Sequence, residues 1–528
     1  MDWLLGDLTH FLSVLGGAAI FVGILTAIVH VLQQRASKPQ IQLNPSQPVA
    51  PSTIKESGIY LGIDKGNNTD KYRYDGAAHI TTIGSTRTGK SRRLLIPNLA
   101  FETNRSMVVI DIKGELAAIT GEWRGRHGKV VYLNPFGLYA NDPRYMLKST
   151  GYNPLLTLDP QSLSFVDDAM SLAEDLIPVE SNTHQPHFPQ AAQNLLAALI
   201  MFVRIGFNTK EGIFDPETAE GRVLAPTFGE VRRLLAALPT QAFAKLIKTM
   251  TFHPLDAIVA KAAQFEGGDK NDEIMSILST ARTQTAFLDS PAIRDDLSKH
   301  GVDFSSLKRE TTTVFLILPP RLLKTHAKWL RLIIDSAMRS MQNDEGLDRP
   351  SVLFVLDEFA QLGRMAAVET AVTLAAGYGI KVWAVVQNIN QLQTIYHENW
   401  ETFIDGGVTT VFQCRDVATP KYMSSLSGSD IIENKSATSS HSGVSLTKAE
   451  QRRQYLIDNH FYSLHEGDMY VYEPTAKGRV IRHITAPDFL KLPDVESGAI
   501  QLRSAPLSSL KSTTRVSPYS SAQGQPLA

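Results

Sequence analysis

The chain has 528 residues, 43% of them hydrophobic, which is enough for two or three folded units with a large core. Its 52 basic and 53 acidic residues nearly cancel, so the composition argues mildly against a DNA-binding protein and leaves room only for a local nucleic-acid surface. The single cysteine, Cys414, excludes an internal disulfide, argues against a zinc cluster and fits a reducing compartment.

The N-terminal region contains a long apolar run. Residues 11–32 include no Asp, Glu, Lys or Arg over 22 positions, which is long enough for a helix that crosses a bilayer. Acidic residues precede the run and Arg35 and Lys38 follow it, so the positive-inside rule predicts an external N-terminus and a cytoplasmic remainder. We predict a membrane anchor at 1–34 and a Pro-rich linker at 35–57, with a buried helix as the alternative to the anchor.

A short apolar strand then leads into the segment GSTRTGKS, which fits the phosphate-loop pattern GxxxxGK[ST] at every required position. Such a loop presents backbone N–H groups to phosphates because its glycines keep side-chain bulk away. Its lysine contacts the β- and γ-phosphates, and the hydroxyl that follows is a ligand of Mg²⁺. A strand-to-helix turn that matches by chance is the alternative. The predicted nucleotide-binding residues are Gly84, Ser85, Thr86, Arg87, Thr88, Gly89, Lys90 and Ser91, with Ser91 also a metal ligand.

Six strand-like runs alternate with helix-like segments in the rest of the chain. Most of these runs are continuously apolar, which predicts strands covered on both faces and hence an α/β core with a mostly parallel sheet. The runs are 80–83, 107–112, 312–318, 352–356, 382–386 and 408–412. About two hundred residues separate the second and third runs, which is too many for a loop. Their helical periodicity predicts an all-helical inserted domain at 159–304, with a buried helix at 190–203.

A second motif follows the apolar run 352–356, which delivers Asp357 and Glu358 to the end of a strand. Ligands bind at that end of a parallel sheet, where one carboxylate can hold Mg²⁺ and a second can polarise the attacking water. The pair is also common in plain solvated turns, but beside a phosphate loop it predicts ATP hydrolysis, with Asp357 as the metal ligand. Gln387 ends the neighbouring strand and is predicted to sense the γ-phosphate or the water, although a polar residue that merely ends a strand is the alternative. The predicted catalytic residues are Glu358, Lys90 and Gln387.

The last part of the chain, 499–528, is rich in Ser, Pro, Gln and Thr and contains basic but no acidic residues. This composition cannot bury enough apolar surface to offset the entropy of ordering the chain. We therefore predict a disordered tail.

Six segments, in order, resemble the successive blocks of the TraG-like type IV coupling proteins, the membrane-anchored ATPases of conjugation and type IV secretion. The resemblance covers nearly all of 58–490, and the segments are HITTIGSTRTGKSRRLLIPNL, VVIDIKGELAAIT, GYNPL, VLFVLDEFAQLGRM, AAGYGIKVWAVVQNINQL and YMSSLSG. It implies a RecA-like P-loop NTPase core divided into 58–158 with the phosphate loop and 305–498 with the carboxylates. It also implies ATP and Mg²⁺ as cofactors and a ring of six subunits. One family block has no role that the residue chemistry reveals: Asp111, Lys113, Gly114 and Glu115.

The resemblance further implies partners and a location. The partners are DNA, single- or double-stranded and without sequence specificity, relaxase or effector proteins, and components of a type IV secretion channel. The location is the bacterial inner membrane, crossed once, with the bulk of the chain in the cytoplasm. The implied function is ATP-driven delivery of DNA or protein into the channel. A nucleotide-switched docking receptor without DNA pumping is the alternative, and a chromosome-partitioning pump is disfavoured because the C-terminus has no recognisable DNA-reading module.

Two features depart from the family pattern. One membrane helix is predicted, whereas many members have two with a periplasmic loop between them. A ring motor of this class is also expected to use an arginine from the neighbouring subunit, and Arg364 and Arg415 are the nearest candidates. Arg92 and Arg93 begin the helix beside the phosphates, and they either reach the nucleotide or a neighbouring subunit or are exposed helix charges.

Overall fold

The computed structural model describes residues 58–64, 71–179, 186–205, 224–236, 240–267, 272–342, 350–374, 378–440, 443–475 and 478–506. The predicted anchor, the predicted linker and most of the predicted tail lie outside these residues. Within them, one helix is long and apolar enough to cross a membrane, His187–Ile205, and 61% of its most apolar window is buried inside the protein. That burial agrees with the core helix predicted at 190–203.

In the described part of the chain, the strands form one mixed sheet of eleven and one separate hairpin. Across the sheet, numbered along the chain, the order is β2-β1-β13-β12-β9-β3-β8-β7-β4-β6-β5, and β10 pairs with β11 in the hairpin. The strands are β1 (Ile59–Asp64), β2 (Lys71–Tyr74), β3 (Ile80–Ile83), β4 (Met107–Asp111), β5 (Lys129–Leu133), β6 (Thr312–Ile317), β7 (Val352–Leu356), β8 (Ile380–Val386), β9 (Val408–Val411), β10 (Ser429–Ser440), β11 (Gly443–Gln454), β12 (Asp468–Thr475) and β13 (Gly478–Thr485).

Seven adjacent strands, from β9 to β5, run parallel, and the four others extend the sheet in antiparallel fashion. The six predicted strands are confirmed as six of these seven, and β5 at the edge is the seventh. Alternate residues of a strand enter opposite cores: in β4, Val108 and Ile110 join one hydrophobic cluster, whereas Met107 and Val109 join the other. The sheet is thus covered on both faces, which is why its parallel strands are apolar runs. The prediction of an α/β fold with a mostly parallel sheet is confirmed.

Helices cover both faces. They are α1 (Ile96–Phe101), α2 (Glu115–Gly125), α3 (Phe165–Leu176), α4 (His187–Ile205), α5 (Phe228–Ala236), α6 (Thr240–Met250), α7 (Asp256–Ala263), α8 (Asp272–Gln284), α9 (Pro291–Asp296), α10 (Pro320–Gln342), α11 (Ala366–Leu374), α12 (Ile389–Tyr396), α13 (Thr402–Asp405), α14 (Ala418–Leu426), α15 (Asp458–Tyr462) and α16 (Pro493–Glu496). Between β5 and β6, the described residues form helices and no strand. Those helices share one hydrophobic cluster with the sheet face that contains Val108 and Ile110. The helical segment is therefore packed onto the sheet, and the domain boundary at 159–304 stays a prediction.

The helix after the phosphate loop begins with a π-helical turn, Ser91–Leu95, and continues as α1. Pro97 explains the wider turn, because it has no N–H to donate to the carbonyl of Arg93. The N–H of Ile96 instead bonds to the carbonyl of Ser91. The helix predicted to begin at Arg92 and Arg93 is present, with a wider first turn than an α-helix.

The described part of the predicted tail, 499–506, lies against α2, which differs from the expectation of disorder. The N–H of Arg503 donates to the carbonyl of Ile119 at 3.1 Å. The hydroxyl of Tyr145 donates to the carbonyl of Ser504 at 2.9 Å. Composition predicts how much apolar surface a segment can bury, but it does not register backbone hydrogen bonds of this kind.

Arg124 in α2 is almost completely buried, at 1% exposure, and it fastens this helix to the sheet. Its Nε donates to Oγ1 of Thr313 in β6 at 2.7 Å. Its Nη1 and Nη2 donate to the carbonyls of Glu102 and Arg105 at 2.5 and 2.6 Å, between α1 and β4. One guanidinium therefore satisfies three buried acceptors, one in β6 and two in the loop between α1 and β4.

We predict that Arg124→Leu lowers the free energy of unfolding by roughly 3–5 kcal/mol, because it leaves those acceptors buried and unpaired. The measurement is chemical denaturation followed by circular dichroism. Arg126→Leu is the matched control, directly after the end of α2, where an exposed ion pair with Glu122 is lost at a cost below about 1 kcal/mol. Equal losses in the two variants would contradict the role of Arg124.

Candidate functional site

A cavity of about 880 Å³ lies at the carboxyl ends of the five central parallel strands. Its lining residues follow β3, β8, β7, β4 and β6, and these strands are neighbours in that order. The carboxyl ends of parallel strands meet at one edge of the sheet, so side chains that are far apart in the sequence converge there. Among the polar lining residues are Lys90, Ser91, Asp111, Lys113, Asp357, Glu358 and Gln387. The structure thus brings the predicted phosphate loop, carboxylates and glutamine together.

The phosphate loop is anchored to the two strands that flank β3. The N–H of Gly84 donates to the carbonyl of Val386 at the end of β8, at 3.2 Å, and the N–H of Ser85 donates to the carbonyl of Gln413 after β9, at 3.3 Å. The hydroxyl of Thr88 donates to the carbonyl of Ser85 at 2.9 Å and closes the loop on itself. The sheet therefore presets the shape of the loop.

Gly89 and Lys90 form the end of the loop. Gly89 has a φ of +84°, and a Cβ at this position would lie 2.7 Å from Nε of Arg93, so the backbone requires glycine. The Nζ of Lys90 donates to the carbonyls of Gly84 and Ser85 at 2.6 and 3.1 Å. Burial lowers the pKa of Lys90, which is opposed by the nearby carboxylates. The ammonium lies within the loop, at the position where phosphate charge is expected.

Asp357 and Glu358 follow β7 directly. Glu358 has a left-handed backbone, with a φ of +55°, and its N–H donates to Oδ1 of Asp357 at 3.1 Å. Its Oε2 accepts a hydrogen bond from Nε2 of Gln387 at 3.0 Å. Burial, followed by the charge of Glu358, raises the pKa of Asp357 to about 6. Strained backbone and raised carboxyl pKa values occur together at functional sites.

The block after β4, whose role the sequence leaves open, lines the same cavity through Asp111, Lys113 and Glu115. Asp111 is buried, and its carboxylate accepts the N–H of Ala117 in the first turn of α2 at 2.8 Å. Gly114 permits the tight turn between them with a φ of +66°. Asp111 therefore holds the start of α2, and the turn places a second lysine on the cavity wall.

From the sequence, Arg92 and Arg93 are expected either to reach the nucleotide or a neighbouring subunit or to be exposed helix charges. In the structure they bond to a different part of the chain. Arg92 lines the cavity, and its Nε donates to Asp488 at 2.7 Å. Nη1 of Arg93 donates to the carbonyl of Ala486 at 2.8 Å. Both arginines hold the segment that follows β13.

The two candidates for an arginine that acts on a neighbouring subunit are both on the surface. Arg364 forms an exposed ion pair with Glu369 at 3.2 Å, and Arg415 is exposed after β9. Neither belongs to the described lining of the cavity. A role for either one towards a second subunit stays a prediction.

Some walls of the cavity could not be predicted from motifs. Leu323 and Lys324 come from the start of α10, and Ala505 and Pro506 come from the end of the described chain. These four positions carry no local signal, because only the folded arrangement brings them to the phosphate loop.

Burial raises the pKa of Asp111 from its usual 3.8 to about 7. The folded protein therefore binds more protons than the unfolded chain between these values, and the contribution of this carboxyl to stability is lost as the pH rises through about 7. We compare the free energy of unfolding of Asp111→Asn with that of the unmodified protein. We predict that this difference shifts in favour of the variant by at least about 1 kcal/mol when the pH is raised from about 5 to about 8. Urea denaturation at the two pH values measures this change.

The matched control is Asn153→Ala, which removes a buried, uncharged side chain that accepts the N–H of Leu155 at 3.1 Å. This variant should lose the same stability at both pH values. If the difference in free energy of unfolding between Asp111→Asn and the unmodified protein is the same at both pH values, the carboxyl is not protonated in the folded protein.

Comparison with known proteins agrees with the segments found in the sequence. A family model described as "Type IV secretory system Conjugative DNA transfer" matches residues 34–472. The conjugal transfer protein TraG of Escherichia coli is 26% identical over 401 residues, which cover 73% of this chain and 60% of that relative. Protein VirD4 of Agrobacterium fabrum is 26% identical, over 80% of this chain and 61% of the relative. The chain spans about 60% of the length of these curated relatives.

Solved structures of the bacterial conjugative coupling protein TrwB have a similar fold. The unbound form gives a TM-score of 0.60 at 16% identity and covers 82% of this chain and 90% of that one. The complex of TrwB with ADP and Mg²⁺ gives a TM-score of 0.59 at 15% identity, over 83% of this chain and 91% of that one. At this identity the likeness shows the fold alone. Because the family model matches most of the chain, the protein belongs to the conjugative DNA transfer family of type IV secretion systems, the type IV coupling proteins.

Proposed function

We propose that this protein is a membrane-anchored ATPase that couples hydrolysis to the delivery of DNA or DNA–protein substrates into a type IV secretion channel. One observation carries the proposal: a single cavity holds a phosphate loop, two consecutive carboxylates and a glutamine on neighbouring parallel strands. Membership of the conjugative DNA transfer family supports the kind of substrate. The complexes of TrwB with ADP and Mg²⁺ and with an ATP analogue support the kind of ligand.

The cavity suits a nucleoside triphosphate in size and charge. Its volume of about 880 Å³ falls within the range of roughly 300–1,000 Å³ that is usual for ligand pockets. Lys90 and Lys113 bring positive charge to the part of the wall next to the loop, where phosphates would bind. Leu116, Ile119 and Leu323 are apolar members of the same lining. The lysines, the apolar lining and the two carboxylates together favour ATP as the ligand.

The donor set also fits Mg²⁺. This ion is usually held by one or two carboxylates, with hydroxyl, phosphate and water oxygens completing its shell. Ser91 and Asp357 line the cavity together and would hold the ion. Bound there, Mg²⁺ would neutralise charge on the phosphates.

Glu358 is the residue proposed to accept a proton from the attacking water. The bond from Gln387 occupies its Oε2, so the carboxylate is oriented and its Oε1 is left to accept the proton. Gln387 thus acts on the water through Glu358, in agreement with its proposed role as a sensor. Lys90 would hold the β- and γ-phosphates while this step occurs.

The remaining parts of the proposal come from family membership and from the sequence. They are a RecA-like motor core that works as a homohexameric ring, anchored in the bacterial inner membrane through 1–34 with the bulk of the chain in the cytoplasm. DNA would be bound without sequence specificity, and relaxase or effector proteins and channel components would be the protein partners. The near-neutral charge of the chain restricts DNA contacts to a local surface. In the alternative, a docking receptor, nucleotide acts only as a switch.

We predict that Glu358→Gln lowers ATP turnover by roughly 10²–10⁴-fold while ATP still binds, because the substitution keeps the side-chain shape but removes the proton acceptor. Lys90→Ala should lose both binding and hydrolysis, since it removes the charge that holds the phosphates. Asp357→Asn should weaken the response of turnover to Mg²⁺. Nucleotide affinity and turnover are measured for each full-length variant.

Glu398→Gln makes the same chemical change at an exposed position after α12 and should retain full turnover. Normal turnover in Glu358→Gln would contradict the catalytic role of Glu358. Combined with intact ATP binding, that result would favour the docking receptor.

A further inference from the structure

The chain after β13 forms a strap, defined as residues 486–506, that connects two elements of the cavity. At its start, the carbonyl of Ala486 accepts a hydrogen bond from Arg93 at 2.8 Å, and Asp488 pairs with Arg92 at 2.7 Å. These two arginines come directly after the metal-binding serine proposed above. The strap is therefore attached at its beginning to the helix that carries the phosphate loop.

The far end of the strap is attached to α2. The N–H of Arg503 donates to the carbonyl of Ile119 at 3.1 Å, and the carbonyl of Ser504 accepts from the hydroxyl of Tyr145 at 2.9 Å. Leu502 packs, partly buried, against the hydrophobic cluster on this face of the sheet. These contacts use backbone groups and an apolar side chain, so they do not depend on the exposed ion pairs of the strap.

The strap ends inside the nucleotide cavity. Ala505 and Pro506 both belong to its lining, and Pro506 is buried. The N–H of Arg503, two residues before Ala505, bonds to the carbonyl of Ile119 in α2. Leu116 and Ile119 line the cavity from the same helix. The end of the strap thus lines the same cavity as these two apolar residues of α2.

We infer that Ala505 and Pro506, together with Leu116 and Ile119, form the subsite for the base of the bound nucleotide. The inference rests on the proposed nucleotide-binding function and adds the part of the chain that contacts the base. Phosphates require N–H donors and lysines, which the loop supplies, whereas the faces of a purine ring pack against apolar groups, and these four residues are apolar members of the same cavity lining.

The strap lines the cavity without filling it. About 880 Å³ of space remains with the strap in place, which is enough for a ligand of nucleotide size. The strap therefore contributes affinity as a wall and does not compete with the nucleotide for the site.

The experiment compares the binding of ATP with that of inorganic tripolyphosphate, which has the phosphates but no base, to the full-length protein. Pro506→Gly removes the ring from the wall, and Leu502→Asp detaches the strap from the cluster beneath it. Each substitution should weaken ATP binding by about five- to tenfold and leave tripolyphosphate binding unchanged. Ala499→Gly is the matched control: it adds similar backbone freedom at an exposed position of the strap that is neither an anchor named above nor part of the cavity lining, and it should change neither affinity. Lys90→Ala should weaken both ligands.

Three results would overturn the base subsite while the nucleotide function stands. They are unchanged ATP affinity in both strap variants, equal losses for ATP and tripolyphosphate, and tighter ATP binding, which would identify the strap as a plug. The response of both ligands to Lys90→Ala reports on the nucleotide function separately. If the unmodified protein binds no ATP, the proposed function fails, and the subsite fails with it.

Discussion

Burial of the central strands on both faces is the constraint on which the rest of the structure depends. β4 and β7 are apolar along their buried length, because side chains on both faces enter a hydrophobic core, and their polar residues come only where the strands end. Val109 pairs with Val355, so Asp111 and Asp357, each two residues further on, leave the sheet side by side. The phosphate loop emerges from β3 at the same edge. The chemistry of the cavity is thus a consequence of parallel pairing.

This arrangement concentrates negative charge where water is scarce. Burial is the largest cause of the raised pKa values of Asp111 and Asp357, and each carboxyl also responds to the other carboxylates around it. Lys90 favours the charged form of Asp357 from within the loop. A site built in this way carries an electrostatic cost that a bound cation would reduce. Under the proposed function, that cost contributes to binding Mg²⁺ together with the nucleotide.

The parts of the protein that local pattern determines could be predicted from the sequence. Continuous apolar runs identified six parallel strands, and the spacing from Gly84 to Ser91 identified the loop. The antiparallel strands and β5 mix polar and apolar residues, so they lack that signal. The bonds of Arg92 and Arg93 join residues nearly four hundred positions apart, which no local pattern reports. The end of the strap, 499–506, escaped for the same reason: its composition is that of a flexible tail, whereas its backbone is bonded to α2 and to Tyr145.

Whether the cavity hydrolyses ATP in order to move DNA is tested most directly by the turnover of the full-length protein with and without DNA. Sequence-independent contacts to the DNA backbone should make turnover rise with added single- or double-stranded DNA of any base composition, and the stimulation should weaken as salt is raised. An ATPase rate that DNA does not change at any concentration, in a protein that still binds ATP, would contradict the motor and leave the docking receptor as the function of this cavity.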